Sequence, residues 1–428
     1  MNQITSSHQS LYSQISSLLL YQSVFENEVG EAFLNLLDSL SYPEDDHLNL
    51  DCLIAYGEWF NALANHQKSW QDYLTTEILL NTNPFSEQIQ SVTLKELPNS
   101  LIEATKHDLT ILQTVYHCQP QQIAQWLQDT IKTYSSALVW ELENKDNTFL
   151  HKSDNWEEVI EDLANYYRQQ GTGIFAQYQA LKWYDDQLIG ITNPDPIELS
   201  EIVGYEEQKA TLIKNTEILL AGYQALHVLL YGSRGSGKSS LVKGLLNQYS
   251  NQGLRLIEVS KSQLKDLPFI VDKLRNMSQK FIIFVDDLSF EEDDDAFKSL
   301  KVVLEGSITA KAQNVVVYAT SNRRHLIKEY FGDRPQLSEA DEVHAWDTVQ
   351  EKLSFSDRFG LTLTFEPANQ DKYLTIVHHL AQQAGLNLPQ EELDFKAKQW
   401  ATKHNGRSGR TARQFIDFLQ GQLAISGL

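Results

Sequence analysis

Between His227 and Tyr249 the chain reads HVLLYGSRGSGKSSLVKGLLNQY, and Gly232-Ser233-Arg234-Gly235-Ser236-Gly237-Lys238-Ser239 fills every fixed position of G-x-x-x-x-G-K-S/T. Residues of these types at this spacing handle phosphate. Glycines let the backbone curl so that consecutive N–H groups point inward, as a nest for an anion. Lys238 is expected at the outer phosphates, Ser239 on a divalent cation, and Ser240 beside them at the start of a helix. A chance glycine-rich turn is the competing explanation. The flanks disfavour it, because the loop is preceded by an apolar run and followed by apolar residues at helical spacing.

Two carboxylates follow. Phe281-Ile282-Ile283-Phe284-Val285-Asp286-Asp287 reads as an apolar strand ending in acid. Asp286 suits a Mg²⁺ shell, and Asp287 suits a base that polarises an attacking water. Many sites of this kind carry Glu where Asp287 stands, so Glu291 and Glu292 remain alternative bases. The run Glu291 to Asp295 also suits a solvated loop. Val315 to Ser321 reads as a further buried strand, and Asn322 at its end could hydrogen-bond the water and the terminal phosphate. Arginines come last, in Ser356-Asp357-Arg358-Phe359-Gly360 and Ser408-Gly409-Arg410-Thr411-Ala412-Arg413. Guanidinium groups stabilise charge developing on a transferred phosphoryl group, although either Arg could equally be a structural ion-pair partner.

The elements that must position these groups are legible around them. Strands are expected at Val228–Tyr231, Leu254–Val259, Phe281–Val285 and Val315–Ser321, alternating with helices in an α/β array. Helices are expected at Gln208–Ala221, Asp371–Ala384 and Thr411–Leu423, the last two forming a small helical lid. Val203 and Gly204, just upstream, suit a wall for the nucleotide base. GITNPDPIELS, from Gly190 to Ser200, reads as a domain boundary.

The half before that boundary differs in kind. From about Ser10 to Tyr184 it reads as mostly helical, with apolar faces such as Leu53, Tyr56, Trp59, Phe60 and Leu63, and a break at Tyr42-Pro43-Glu44-Asp45-Asp46. Its aromatic residues are not interleaved with Lys and Arg as a base-stacking surface would be, so they are expected in a core. Its histidines show no metal-ligand pairing. Capture of an unidentified protein partner is the natural role for it.

The formal net charge of −22 argues against a general nucleic-acid binder, because such affinity comes mostly from neutralising phosphates. The imbalance is uneven: no Lys or Arg precedes Lys68, and no Arg precedes Arg168. Cys52 and Cys118 offer neither metal spacing nor a disulfide framework. No signal peptide, transit peptide or membrane-spanning run is evident, and a cytoplasmic protein is expected.

The order of motifs resembles an AAA+ ATPase: glycine loop, acidic strand end, sensor Asn, arginine finger, and a sensor arginine in a lid. More narrowly, Ile202 to Phe418 is similar to domain-of-unknown-function family 815, through YGSRGSGKSSLVK, FVDDLSFEE, YATSNRRHL, EKLSFSDRFGL and NGRSGRTARQF. The resemblance implies ATP and Mg²⁺ as cofactors, held by the glycine loop, Ser239 and Asp286. It implies Asp287 at the base position and Asn322 as the first sensor. Arg358 would be a finger reaching a neighbouring subunit, so that a ring or dimer is expected. Arg410 would be the second sensor, with Arg413 as the alternative. The expected architecture is an acidic, mainly helical domain over residues 1–190, an αβα nucleotide-binding domain with a parallel sheet over 191–366, and a helical lid over 367–428. The expected activity is coupling of Mg-ATP binding and hydrolysis to conformational change. Alternatives are an ATPase of helicase-loader or transposition type acting on DNA, and a nucleotide-dependent switch that scarcely hydrolyses.

Overall fold

The computed structural model describes residues 7–41, 46–131, 137–143, 147–290, 296–305, 311–322, 355–404 and 406–426. Glu291, Glu292 and the acidic run after them lie outside the described residues, as does the expected break over 42–45. The chain divides into two compact units, Met1–Gln177 and Tyr178–Leu428.

The first unit is helical. Its longer helices are Glu28–Ser41, Asp46–His66, Asn99–His117 and Ile160–Gln170. Local chemistry sets their ends. Ser69 caps Trp70–Leu80 by accepting the Asp72 N–H, and Asn83 caps the short helix that Pro84 opens. The aromatic residues form the core, as their spacing suggested. Trp59, Trp70 and Trp156 are buried, and the Phe33 and Trp70 rings lie 4.5 Å apart. Asp108 is also buried there, and its carboxylate accepts the backbone N–H groups of Leu19, Leu20 and Tyr21 at 2.7–3.0 Å.

The second unit is built on a seven-stranded sheet: β1 (Ala180–Tyr184), β2 (Gln187–Ile191), β3 (Val228–Gly232), β4 (Leu254–Glu258), β5 (Lys280–Val285), β6 (Val315–Ser321) and β7 (Leu361–Phe365). The order is β2-β1-β4-β5-β6-β3-β7, parallel except for the antiparallel β1–β2 pair. Its central strands read as continuous apolar runs because both faces are covered. On one face, Leu230, Ile282, Phe284 and Val316 pack with α1 (Glu206–Leu220) and α2 (Lys238–Tyr249) through Leu212, Leu219, Leu241 and Leu245. Leu229, Ile283 and Val317 point the other way and are equally buried. Helices α3 (Leu267–Leu274) and α4 (Ala296–Glu305), which follow β4 and β5 in the chain, pack against each other.

Three helices follow β7: α5 (Gln370–Gln383), α6 (Gln390–Lys403) and α7 (Gly409–Ser426). They share their own core of Tyr373, Val377, Leu393, Ala397, Phe415 and Leu419, which makes the lid. Asn369 caps α5 by accepting the Lys372 N–H at 2.8 Å.

One stretch departs from expectation. Ala180 to Tyr184, read as the tail of the helical half, is a strand, and with β2 it forms a hairpin that extends the sheet beyond β4. The turn is Asp185-Asp186, both at left-handed φ (51° and 60°). The strands need a turn of that hand, and Asp tolerates it although Gly or Asn is the usual signal.

Candidate nucleotide-binding site

The strand–loop–helix formed by β3 and α2, beside edge strand β7, makes a glycine-lined cradle. Gly232 ends β3 at φ 141°, and a Cβ there would lie 2.0 Å from the Phe365 carbonyl oxygen. That carbonyl accepts the Ser233 N–H at 3.0 Å, so neighbouring β7 fixes where the loop departs. Gly235 has φ 74°, and a Cβ on it would press on Ser408 and Arg410 of the lid. The Arg410 N–H donates to the Gly235 carbonyl at 3.1 Å. Gly237, also left-handed, opens α2, whose first-turn N–H groups face the loop.

A cleft of about 730 Å³ lies over this loop. Its lining brings together Val203, Arg234 to Ser240, Asp286, Asp287, Asn322, Arg410 and Arg413, residues scattered across the sequence. Gly232 and Ser233 contribute from beneath: Lys238 Nζ donates to their carbonyls at 3.0 and 2.8 Å, and lies 3.4 Å from Asn322 Oδ1. Burial pushes the Lys238 pKa down, Asp286 and Asp287 oppose the shift, and Arg410 adds to it. Gly204 stands behind Val203 at φ 88°, packed against Lys372. Ile197, Ile202, Ile376 and Leu380 make one end of the cleft apolar.

The acidic pair sits opposite Ser239. Asp286 Oδ1 accepts from Ser239 Oγ at 2.7 Å, from Thr320 Oγ1 at 2.5 Å and from the Asp287 N–H at 3.2 Å. Its Oδ2 has no hydrogen bond among the described residues. Asp287 occupies left-handed space at φ 50°, so the chain turns sharply where β5 ends. Asn322 Nδ2 donates to Asp287 Oδ1 at 2.6 Å. The residues expected as sensor and as base are therefore in direct contact.

The donor set fits Mg²⁺ and a triphosphate. A hydroxyl and a carboxylate are hard oxygen ligands. Ser236 Oγ, buried within the loop, has no hydrogen-bond partner among the described residues, which suits a loop whose polar groups serve a bound anion.

The arginines divide into three environments. Arg410 faces the cleft from the first turn of α7. Arg413, one turn along, also lines the cleft but is ion-paired with Glu201. Arg358 does not line the cleft; it pairs with Glu305 at the end of α4. Thr320 went unnoticed in the sequence. The alternation of β6 was the available signal, since residues two apart share a face and Thr320 stands two before Asn322.

Glycine loop, acid-ended strand, intervening β6 and helical lid define a P-loop protein of the AAA+ class. The chain belongs to the family described as "Protein of unknown function (DUF815)", whose model matches residues 176–423. It is 23% identical over 172 residues to the Holliday junction branch migration complex subunit RuvB of Mycoplasmopsis synoviae (strain 53), covering 40% of this chain. The chain spans about half (50%) of the length of that relative. Among solved structures, the Thermotoga maritima RuvB Holliday junction branch migration motor aligns with a TM-score of 0.37 and 15% identity, over 54% of this chain and 67% of that one. A mutant of that protein aligns with a TM-score of 0.39 and 16% identity, over the same shares, 54% and 67%.

Proposed function

We propose that the second unit is a Mg²⁺-dependent ATPase whose nucleotide state sets the position of its lid. The observation that carries this reading is the convergence of Lys238, Ser239, Asp286, Asp287, Asn322 and Arg410 on one cleft, from four separate segments. Bound Mg²⁺ would neutralise phosphate charge and orient the phosphates. Ser239 and Asp286 would hold it. Lys238 would exchange its carbonyl partners for phosphate oxygens, a stronger, charge-assisted contact. Asp287 would accept the proton of the attacking water, with Asn322 holding the carboxylate in place. Arg410 would carry the nucleotide state into α7, because its backbone is already bonded to the loop. The apolar end of the cleft suits a purine base, and adenine is the expected one.

Arg358 has no place in its own cleft, which supports its use on a neighbour's nucleotide and hence an oligomer, a ring or a dimer. The helical first unit would then receive a partner protein. A DNA-acting motor is the second reading, favoured by the branch-migration subunit among the relatives. The acidic balance weighs against it, and salt-dependent binding of duplex or junction DNA would reinstate it.

The test is ATP turnover of the purified chain with Mg²⁺, beside Lys238→Ala and Asp287→Asn, with oligomer mass read with and without nucleotide. The expected result is loss of turnover in both variants by about 100-fold or more, with nucleotide-dependent assembly. Failure of the intact chain to bind ATP would overturn the reading. Tight binding with negligible turnover would replace the ATPase with a nucleotide switch, a state that the Asn322–Asp287 contact would help to hold.

A further inference from the structure

Thr320 is the one buried hydroxyl among the described residues that touches both members of the acidic pair. Its side chain uses its hydrogen-bonding capacity in two directions. Oγ1 donates to Asp286 Oδ1 at 2.5 Å and accepts the Asp287 N–H at 3.0 Å. Its surroundings are rigid: Thr320 is 2% exposed, and its own carbonyl accepts the Leu288 N–H at 2.7 Å, while Ser321 Oγ donates to the Leu288 carbonyl at 2.8 Å. The end of β6 thus grips the turn after β5 at several points.

Two consequences follow from one hydroxyl. By donating to Oδ1 it fixes the rotation of the Asp286 carboxylate, leaving Oδ2 without a hydrogen bond among the described residues. By accepting the Asp287 N–H it satisfies a backbone donor at the residue that holds the unfavourable left-handed φ of 50°. We propose that Thr320 is a positioning residue that sets the Asp286 oxygen available to Mg²⁺ and the direction of the Asp287 carboxylate. The proposal rests on the ATPase reading of this site and extends it to a residue at the floor of the cleft that bonds to both aspartates.

The decisive comparison is Thr320→Val against Thr320→Ser in the full chain. Valine keeps the shape and removes the hydroxyl, whereas serine keeps the hydroxyl and removes a methyl. Nucleotide affinity is read with a fluorescent ATP analogue in EDTA and across a Mg²⁺ titration, and turnover is read across the same titration. The valine variant should bind nucleotide normally without metal, yet need about 10-fold more Mg²⁺ for half-maximal turnover and lose kcat. The serine variant should recover both. Equal Mg²⁺ dependence in the valine variant and the parent overturns the proposal. So does a serine variant as impaired as valine, because the methyl would then be what matters. Should valine fail to fold, Thr320→Ala replaces it in the same series. If the parent binds ATP without hydrolysing it, the ATPase reading fails by itself, and the shift in Mg²⁺-dependent affinity still decides the role of Thr320. If the parent binds no nucleotide, both fall together.

Discussion

Each unit sets an aspartate carboxylate against several hydrogen-bond donors, Asp108 buried and Asp286 exposed, and the two are used differently. Asp108, in the helical unit, takes donors on both oxygens: Leu19, Leu20 and Tyr21 supply backbone N–H groups, and His107 Nδ1 lies 3.1 Å from Oδ1. Its capacity is exhausted in holding the chain around Leu19 to the helix Asn99–His117. Asp286, at the end of β5, gathers its three donors on one oxygen and leaves the other without any among the described residues. A carboxylate saturated by its own chain is cement. One that is half saturated, across from a serine, keeps an oxygen free of the fold. The same distinction runs through the hydroxyls: Thr75 and Thr105 return their hydrogen bonds to helix carbonyls, whereas Ser236 Oγ has no partner.

Making the same substitution at both aspartates tests this contrast most severely. Asp286→Asn should lower ATP turnover by about 100-fold or more while barely moving thermal unfolding. Asp108→Asn should do the reverse. Turnover persists, and the transition of the helical unit, followed by tryptophan fluorescence, weakens by about 2 kcal/mol because backbone donors lose a charged acceptor. Exchange of those two phenotypes would dissolve the comparison.

A smaller effect belongs to His227, just before β3. It is half-buried, its Nδ1 accepts the Val317 N–H at 3.0 Å, and burial, helped by Lys311, lowers its pKa from 6.5 to about 4. The unfolded chain therefore takes up a proton near pH 6.5 that the folded sheet refuses until about pH 4. Stability is unaffected above that window and falls as the pH drops through it, by about 3 kcal/mol in total. Denaturant unfolding at pH 7 and pH 5 should show this in the sheet unit, and His227→Asn should flatten the slope. A slope that persists in the variant would assign it to other groups.

The mildest change is Glu201→Gln, which releases Arg413. The pair is partly exposed, so KM for ATP should shift by only about twofold. A much larger drop in KM would show that Glu201 competes with phosphate for Arg413, and would make Arg413 rather than Arg410 the lid's nucleotide sensor.

The site was more legible in the sequence than the framework around it. The glycine loop announces itself because backbone curvature admits few residue types, and the acid ending β5 stands out against an apolar strand. Thr320 was hidden because a threonine inside VVVYATS is an ordinary β-branched strand residue. Only the contact with Asp286 distinguishes it. The β1–β2 hairpin was hidden for another reason. Its strands are five residues each and its turn uses two aspartates, so neither length nor a glycine marked it. Helix α6 was missed because its exposed face is heavily charged and only Leu393, Ala397 and Ala401 record its buried side. Asn322 was placed by its position in a series of motifs, and its bond to Asp287 is information that only folding supplies.

The lid begins on the glycine loop itself. Gly409 and Gly235 face each other so closely that a Cβ on Gly409 would lie 3.1 Å from the Gly235 carbonyl oxygen, and the Arg410 N–H closes the contact. Loop and lid are consequently not interchangeable parts. A lid transplanted from another ATPase would have to bring Ser408-Gly409-Arg410 with it, and a side chain acquired at either glycine would have to be answered at the other. Over evolutionary time the two segments, distant in the chain, are bound to drift as one.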